Sequence, residues 1–157
     1  MQHKIWGISV SCAILALVLG GVVRADPLDL IPIQTIILEA GNQGINGMVA
    51  VGEVIRTRAR ERGLSFERIC LQPKQFSCWN DRESASRRLH RESREIGELA
   101  AMAWELSATS NLTHHADHYH ADYIKPPYWA KSMCKTTKVG THIFYKSCPA
   151  GVWEQVK

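Results

Sequence analysis

The chain contains no Cys-x-x-Cys pair and no His-Glu-x-x-His segment. The first absence argues against the common structural zinc sites, the second against the helix-borne zinc hydrolases. No basic run is interleaved with aromatic residues, so the footprint of a nucleic-acid binder is missing. There are no internal repeats and no low-complexity tract, which excludes solenoids and long disordered linkers. The longest uncharged apolar run, Ile8 to Val23, is about 16 residues, a little short for a membrane span.

What is present fits one small exported domain. A chain of 157 residues with 45% hydrophobic and 22% charged residues has enough core to fold alone. Residues 1–25 read as a secretory signal: Lys4 is a short positive n-region, the run to Val23 is the apolar segment, and Val23-Arg24-Ala25 places small residues at a cleavage site. An uncleaved anchor is the competing reading. Cleavage after Ala25 is preferred, so the membrane is met only through the signal segment during export. The mature chain then runs 26–157, in the periplasm or against the cell wall. Without Lys4 and Arg24 the 19 basic residues fall to 17 against 15 acidic ones, a mild excess that suits a polyanionic polymer but no nucleic acid.

Cysteine counting agrees with export. Cys12 falls within the signal, leaving Cys70, Cys78, Cys134 and Cys148. An even set outside the cytoplasm reads as two disulfides with three possible connectivities. The short separations favour Cys70–Cys78 and Cys134–Cys148.

The periodicities predict an α+β chain with three main helices. Ile33 to Glu39 is a short apolar helix stopped by Gly41, and 42–47 is a turn. Met48, Val51, Gly52 and Ile55 at i, i+3, i+4 and i+7 predict an amphipathic helix over 47–62, ended by Gly63. Ala50 and Gly52 would permit close helix approach. Arg56, Arg58, Arg60 and Arg62 read as a solvated helix end, where the macrodipole favours cations. Ser65 can cap one turn, Phe66 to Leu71. The amide- and aromatic-rich loop 72–81 is either a sugar-binding loop or a pinned loop with Phe76 and Trp79 in the core. Residues 82–92 show no clean period. Ile96, Leu99, Ala100, Ala103 and Leu106 give a further helix to about Ser107. Two β-rich runs, 118–124 and 141–146, are expected to pair, with 129–135 ambiguous between them.

The chemistry gathers at Glu39. An apolar helix ends there in a carboxylate, and Gly41-Asn42-Gln43-Gly44 opens a gap in front of it. Burial disfavours a charged carboxyl, and a carboxylic acid kept protonated is what general-acid catalysis needs. The bland alternative is a surface Glu at a helix end. A second cluster, His114, His118 and His120 with Asp117 or Asp122, has the residue types of a zinc site, and His118 and His120 share a strand face. No spacing in it is diagnostic, so its histidines are read first as groups lining a polar cleft, with no metal and no cofactor required.

Several blocks carry a family resemblance. Glu39-Ala40 before a glycine turn, Gly47-Met48-Val49-Ala50-Val51-Gly52-Glu53-Val54-Ile55-Arg56-Thr57-Arg58, Gln72-Pro73-Lys74-Gln75-Phe76-Ser77, His118-Tyr119-His120-Ala121-Asp122-Tyr123-Ile124, Pro127, Trp129-Ala130 and Gly140-Thr141-His142-Ile143-Phe144-Tyr145 appear in the order seen in SleB/CwlJ-type cell wall hydrolases, which the chain resembles over about residues 33–147. The resemblance implies a lysozyme-like fold, helices and a small antiparallel sheet flanking a cleft, acting on peptidoglycan glycan strands. It implies that Glu39, matching the first Glu of the family's Glu-Ala-Arg-Gly-Glu block, is the catalytic acid. With chemistry, it points to Gln43, Gln75, Ser77, Tyr119, His120 and Tyr123 as sugar-positioning groups. The chain departs from that block at two places: Gly41 stands for the family's Arg, and Gln43 for its second Glu. The implied reaction is cleavage between N-acetylmuramic acid and N-acetylglucosamine as a lytic transglycosylase, with one carboxylate serving both proton transfers. Ordinary hydrolysis would call on a second carboxylate, for which Asp81, Asp117 and Asp122 are the candidates. Two alternatives stand beside it: a zinc amidase built on the His114–His120 cluster, and a wall-binding protein whose altered turn has disabled catalysis.

Overall fold

A computed structural model describes residues 30–149; the expected signal segment and its cleavage site lie outside the described residues. The element order is α1 (Ile31–Ala40), α2 (Gly44–Arg62), α3 (Phe66–Leu71), α4 (Arg82–Leu89), α5 (Arg94–Leu106), β1 (His118–Ala121), β2 (Cys134–Val139) and β3 (His142–Lys146). Short 3-10 turns at Ser77–Trp79 and Tyr128–Ser132 punctuate the loops. The architecture is α+β, a helical body with a small antiparallel sheet in the order β1-β3-β2. Among the described residues no helix is long and apolar enough to cross a membrane.

Helix α1 is the central post. A helix apolar on nearly every side belongs inside, and Ile33, Thr35, Ile36, Ile37, Leu38 and Ala40 are all buried. Its one buried hydroxyl, Thr35 Oγ1, donates to the Ile31 carbonyl (2.8 Å) and accepts from Trp79 Nε1 (2.9 Å). Around α1, residues of α2, α3 and α5 (Met48, Val51, Ile55, Ile69, Ala100, Ala103 and Trp104) close one core, to which Phe76 is added from the loop. Helices α2 and α5 touch closely because position 52 has no side chain: a Cβ there would lie 2.8 Å from Ser107. Gly63 ends α2 in the left-handed conformation, φ 62°, as its position predicts. Ser65 caps α3, accepting from the Arg68 N–H.

The sheet rests on α2 through a second cluster of Ala50, Val54, Ala116 and Phe144, and Tyr119 packs against both clusters. The expected pairing of the two β-rich runs is found, with Tyr119 opposite Phe144 and His120 opposite Ile143. Strand β1 is shorter than read: after Ala121 the chain turns, held by the Asp122 N–H on the Thr141 carbonyl (2.7 Å). The third strand, β2, was not expected. Its Lys-Thr-Thr-Lys centre pairs with β3 across an irregularity between Lys135 and Thr137, and an irregular strand does not show strict alternation.

Four other readings are corrected. Helix α2 starts at Gly44 rather than 47, because Gly44 (φ 66°) makes the turn alone and Ile45-Asn46 already belong to the helix. Residues 82–89 form α4, capped by Asp81 Oδ1 accepting from the Ser84 N–H (3.0 Å), a helix that buries only Ala85 and so shows no apolar period. The arginines of α2 are not all solvated. Arg58 is 6% exposed, with Nε donating to the Asp117 carbonyl (2.7 Å), Nη1 to the Gln75 carbonyl (3.0 Å), and its guanidinium 4.9 Å over the Phe76 ring. Arg56 lies 3.8 Å over Trp104.

The fourth correction concerns sulfur. Cys134 and Cys148 are disulfide-bonded, as expected, but Cys70 and Cys78 are free. Their thiols face different partners. Cys70 is fully buried and meets the Thr35 hydroxyl; burial holds its pKa up at about 12. Cys78, on the 3-10 turn, meets Glu39, and burial followed by that carboxylate pushes its thiol well above the ordinary range.

Candidate active site

The last turn of α1 delivers Glu39 to a cleft of about 580 Å³ between the helical body and β1. Both carboxylate oxygens are held. Oε1 accepts from the backbone N–H of Cys78 (3.1 Å), and Oε2 accepts from the Tyr119 hydroxyl (3.0 Å). One donor comes from the 72–81 loop and the other from β1, so three separate parts of the chain converge on this group. Burial and the adjacent Glu39 push the Tyr119 phenol well above its usual range, so it keeps its proton and remains a donor.

The expected site residues divide into two sets. Gln75, Ser77, Tyr119, His120 and Tyr123 line the cleft with Glu39. Within that set their freedom differs. The Gln75 side chain already accepts from Arg62 (2.7 Å), whereas no partner among the described residues occupies the Ser77 hydroxyl. His120 is buried, with Nδ1 against the Ala121 carbonyl (2.8 Å), Nε2 against the Tyr145 hydroxyl (3.1 Å), and its ring stacked on Tyr145. Its polar edges are occupied inside the sheet, and it contributes shape to the wall. Tyr123 is 79% exposed and stands at the rim. Gln43 is the exception: it lies outside the cleft walls, where its Oε1 accepts both the N–H (2.9 Å) and the hydroxyl (3.0 Å) of Thr141 and ties the α1–α2 turn to the β2–β3 hairpin.

The 72–81 loop settles how its residue types are used. Phe76 enters the core and Trp79 bonds to α1, so the rings face inward and the polar Gln75 and Ser77 face the cleft.

The structure adds cleft residues that the sequence did not single out. Lys74, Cys78, Arg88, Trp129 and His142 all line it. Cys78 acts through its main chain, which no residue-type signal marks. Arg88 comes from α4, and the Asp81 cap would have been the clue to that helix. His142 is 7% exposed, its ring 4.9 Å from Tyr119, and its Nδ1 is buried without a protein partner. Burial lowers its pKa, against an upward pull from Glu39 and Asp122.

The histidines do not assemble a donor set. His118 Nδ1 lies 3.0 Å from Asp117 Oδ1, both nitrogens of His120 are engaged, and His114 sits exposed in a left-handed turn (φ 53°). His118 and His120 do share a face, flanking Trp129 at 5.0 and 5.9 Å. Among the described residues no three His, Cys, Asp or Glu side chains converge as metal ligands would.

The family model for cell wall hydrolases matches residues 42–145, most of the described chain. The chain belongs to the cell wall hydrolase family. It is a peptidoglycan-acting enzyme, which places its work outside the cytoplasm. The matched span opens three residues beyond Glu39, so the case for that carboxylate rests on its geometry. Two solved structures share the lysozyme-like fold of this cell wall hydrolase. The catalytic domain of the Bacillus cereus SleB protein is 20% identical, with a TM-score of 0.57, covering 74% of this chain and 90% of that one. The catalytic domain of the germination-specific lytic transglycosylase SleB from Bacillus anthracis is also 20% identical, with a TM-score of 0.61, covering 81% of this chain and 98% of that one. Among curated proteins, none matches the chain.

Proposed function

We propose that this cell wall hydrolase cleaves peptidoglycan glycan strands between N-acetylmuramic acid and N-acetylglucosamine as a lytic transglycosylase, with Glu39 as its acid and base. The carrying observation is that, among the described residues, Glu39 is the one carboxylate on the walls of the larger cleft. The other candidates are committed elsewhere: Asp81 caps α4, Asp117 faces His118, and Asp122 pairs with Lys138 (2.7 Å). Retaining or inverting hydrolysis uses two carboxylates across the scissile bond; a single carboxylate suits an intramolecular closure.

In this mechanism protonated Glu39 gives its proton to the glycosidic oxygen. The bond from the muramic C1 to that oxygen breaks with oxocarbenium character at C1. The N-acetylglucosamine end leaves with a free 4-hydroxyl. Glu39, now a carboxylate, takes the proton from the muramic C6 hydroxyl. O6 bonds to C1, closing a 1,6-anhydro ring and restoring protonated Glu39. Tyr119 and the Cys78 N–H hold the carboxyl group in register through both transfers, and Ser77 and Gln75 lie where sugar hydroxyls would pass.

Digestion of purified peptidoglycan, with products read by mass spectrometry, tests this. Anhydro-muropeptides are expected from the protein, and Glu39→Gln is expected to lose roughly 10²–10⁴-fold in rate. Reducing ends in their place would mean hydrolysis and would turn attention to Glu92, which lines the adjoining part of the groove with Glu39. Free stem peptides would sink the glycan-cleavage reading.

A further inference from the structure

Arg88, on the last turn of α4, donates Nη2 to the Leu38 carbonyl (2.7 Å). That bond fixes the guanidinium at the end of α1, one residue before Glu39. Arg88 pairs with no carboxylate among the described residues, so the rest of its planar fork is uncommitted. The contrast with Arg58 is informative: that guanidinium is buried, bonded to two carbonyls and stacked on Phe76. Arg58 holds the fold together, whereas Arg88 is anchored by one nitrogen and exposed.

Arg88 stands where two lobes of the groove meet. The larger lobe continues past Lys74, Gln75 and Ser77, and a smaller lobe of about 380 Å³ continues past Gly41, Asn42 and Glu92. Lys74 lines the larger lobe alone. It is held at φ 65° inside a turn closed by the Gln75 N–H on the Gln72 carbonyl (3.1 Å). Left-handed backbone is uncommon for a residue with a side chain and marks positions worth explaining. Its ammonium has no protein partner among the described residues. Glu92 lies in the smaller lobe. The larger lobe therefore presents a guanidinium bonded at one nitrogen and an ammonium with no partner among the described residues, and the smaller lobe is lined by Arg88 and a carboxylate, Glu92.

We propose that Arg88, assisted by Lys74, is a carboxylate-recognition site in the larger lobe that reads the acidic substituent of muramic acid. The inference rests on the glycan-strand reading given above. The two sugars of the strand differ in one respect: muramic acid carries a lactyl ether, and N-acetylglucosamine is neutral. The carboxylate is the lactyl group itself where the peptide stem has been removed, or belongs to the stem where it remains. A guanidinium fork binds a carboxylate through two parallel hydrogen bonds, and an ammonium adds a point charge. Recognition beside Glu39 would set the register of the strand, with muramic acid in the larger lobe and N-acetylglucosamine on the far side of Glu39. A uniform neutral polymer of N-acetylglucosamine would have no preferred register.

Three strand preparations test the site: strands bearing stems, strands stripped by an amidase so that lactyl carboxylates are free, and stripped strands whose lactyl carboxyls have been converted to methylamides. KM and kcat are measured with the otherwise wild-type protein, and Kd is measured on a Glu39→Gln background. Arg88→Gln is expected to raise KM and Kd about 10-fold or more on a carboxylate-bearing strand, to leave the methylamide strand unchanged, and to flatten the salt dependence. The stem-bearing and stripped arms show which carboxylate is read. Arg88→Lys should recover part of the loss. Lys74→Gln, at a side chain with no bond to α1 among the described residues, should shift the same strands in the same direction by less, which guards against a disturbed α1 in the Arg88 variant. Equal shifts on all three strands, or no shift on any, would overturn the proposal. Cleavage into anhydro products without carboxylate dependence would overturn it while leaving the glycan reading in place. Carboxylate-dependent binding without glycan cleavage would do the reverse.

Discussion

Glu39 and Glu53 sit on successive helices, and their donors separate their roles. Glu53 is buried and accepts on both oxygens, from the Ser110 and Thr113 hydroxyls and from the Leu112 and Thr113 N–H groups. It has no lone-pair direction left for a substrate. Glu39 accepts one N–H or O–H on each oxygen, also meets the Cys78 thiol, and opens on the cleft. Truncating Glu53 to Ala leaves several buried donors unpaired and should cost at least about 3 kcal/mol in urea unfolding. Glu39→Ala should cost far less stability and nearly all activity. Tyr119→Phe removes one hydrogen bond to a charged group, worth about 1.5–3 kcal/mol. The expected loss in kcat/KM is therefore roughly 10- to 100-fold, with folding preserved because the ring still packs against Phe144 and His142.

Between elements, the amide of Gln43 holds the turn after α1 to the β2–β3 hairpin. The fit is tight: a Cβ at position 140 would lie 2.5 Å from Gln43 Oε1, and Gly140 has φ 55°. Gln43→Glu keeps an acceptor for both Thr141 donors, so its melting temperature should stay within about 2 °C of the parent. Gln43→Ala strands the Thr141 N–H and should cost about 1–3 kcal/mol. The family resemblance drew attention to this position for its lost charge, but charge is not what the position uses here. Other elements were legible in proportion to their apolar period. Helices α1, α2 and α5 bury broad faces, and α3 carries its Ser65 cap, so all four could be read. Helix α4 buries one alanine and β2 is irregular, and neither leaves a hydrophobic pattern. At the site, Glu39 and the polar loop were legible as residue types. The Cys78 N–H and the placement of Arg88 were not, because they depend on how α4 and the loop close over α1. The Cys70–Cys78 expectation failed for a related reason: nearness in sequence does not say which way two thiols point.

At the scale of the whole molecule, acid should weaken the fold in two stages, the first set by His142 and the second by Asp117. His142 has a folded pKa below its unfolded value of 6.5, so the unfolded chain binds the proton more readily. Stability is then complete above about pH 6.5, falls as pH drops toward the depressed folded value, and levels off beneath it. Urea unfolding between pH 7.5 and 5 should show this slope, and His142→Gln should flatten it. A second loss should follow below about pH 3.8, because Asp117 is lowered. Its burial works upward, but the His118 contact and Arg58 outweigh it. The Cys134–Cys148 bridge closes a loop of sequence separation 14, and its reduction should cost about 3 kcal/mol. The groove itself, with a lobe on each side of Glu39, carries a consequence for the statistics of scission. On the proposed glycan-strand cleavage, a strand lying across both lobes can be cut far from its ends. The first events in a digest should then halve and quarter long strands, so that mean strand length and suspension viscosity collapse while almost no soluble fragment has yet been released.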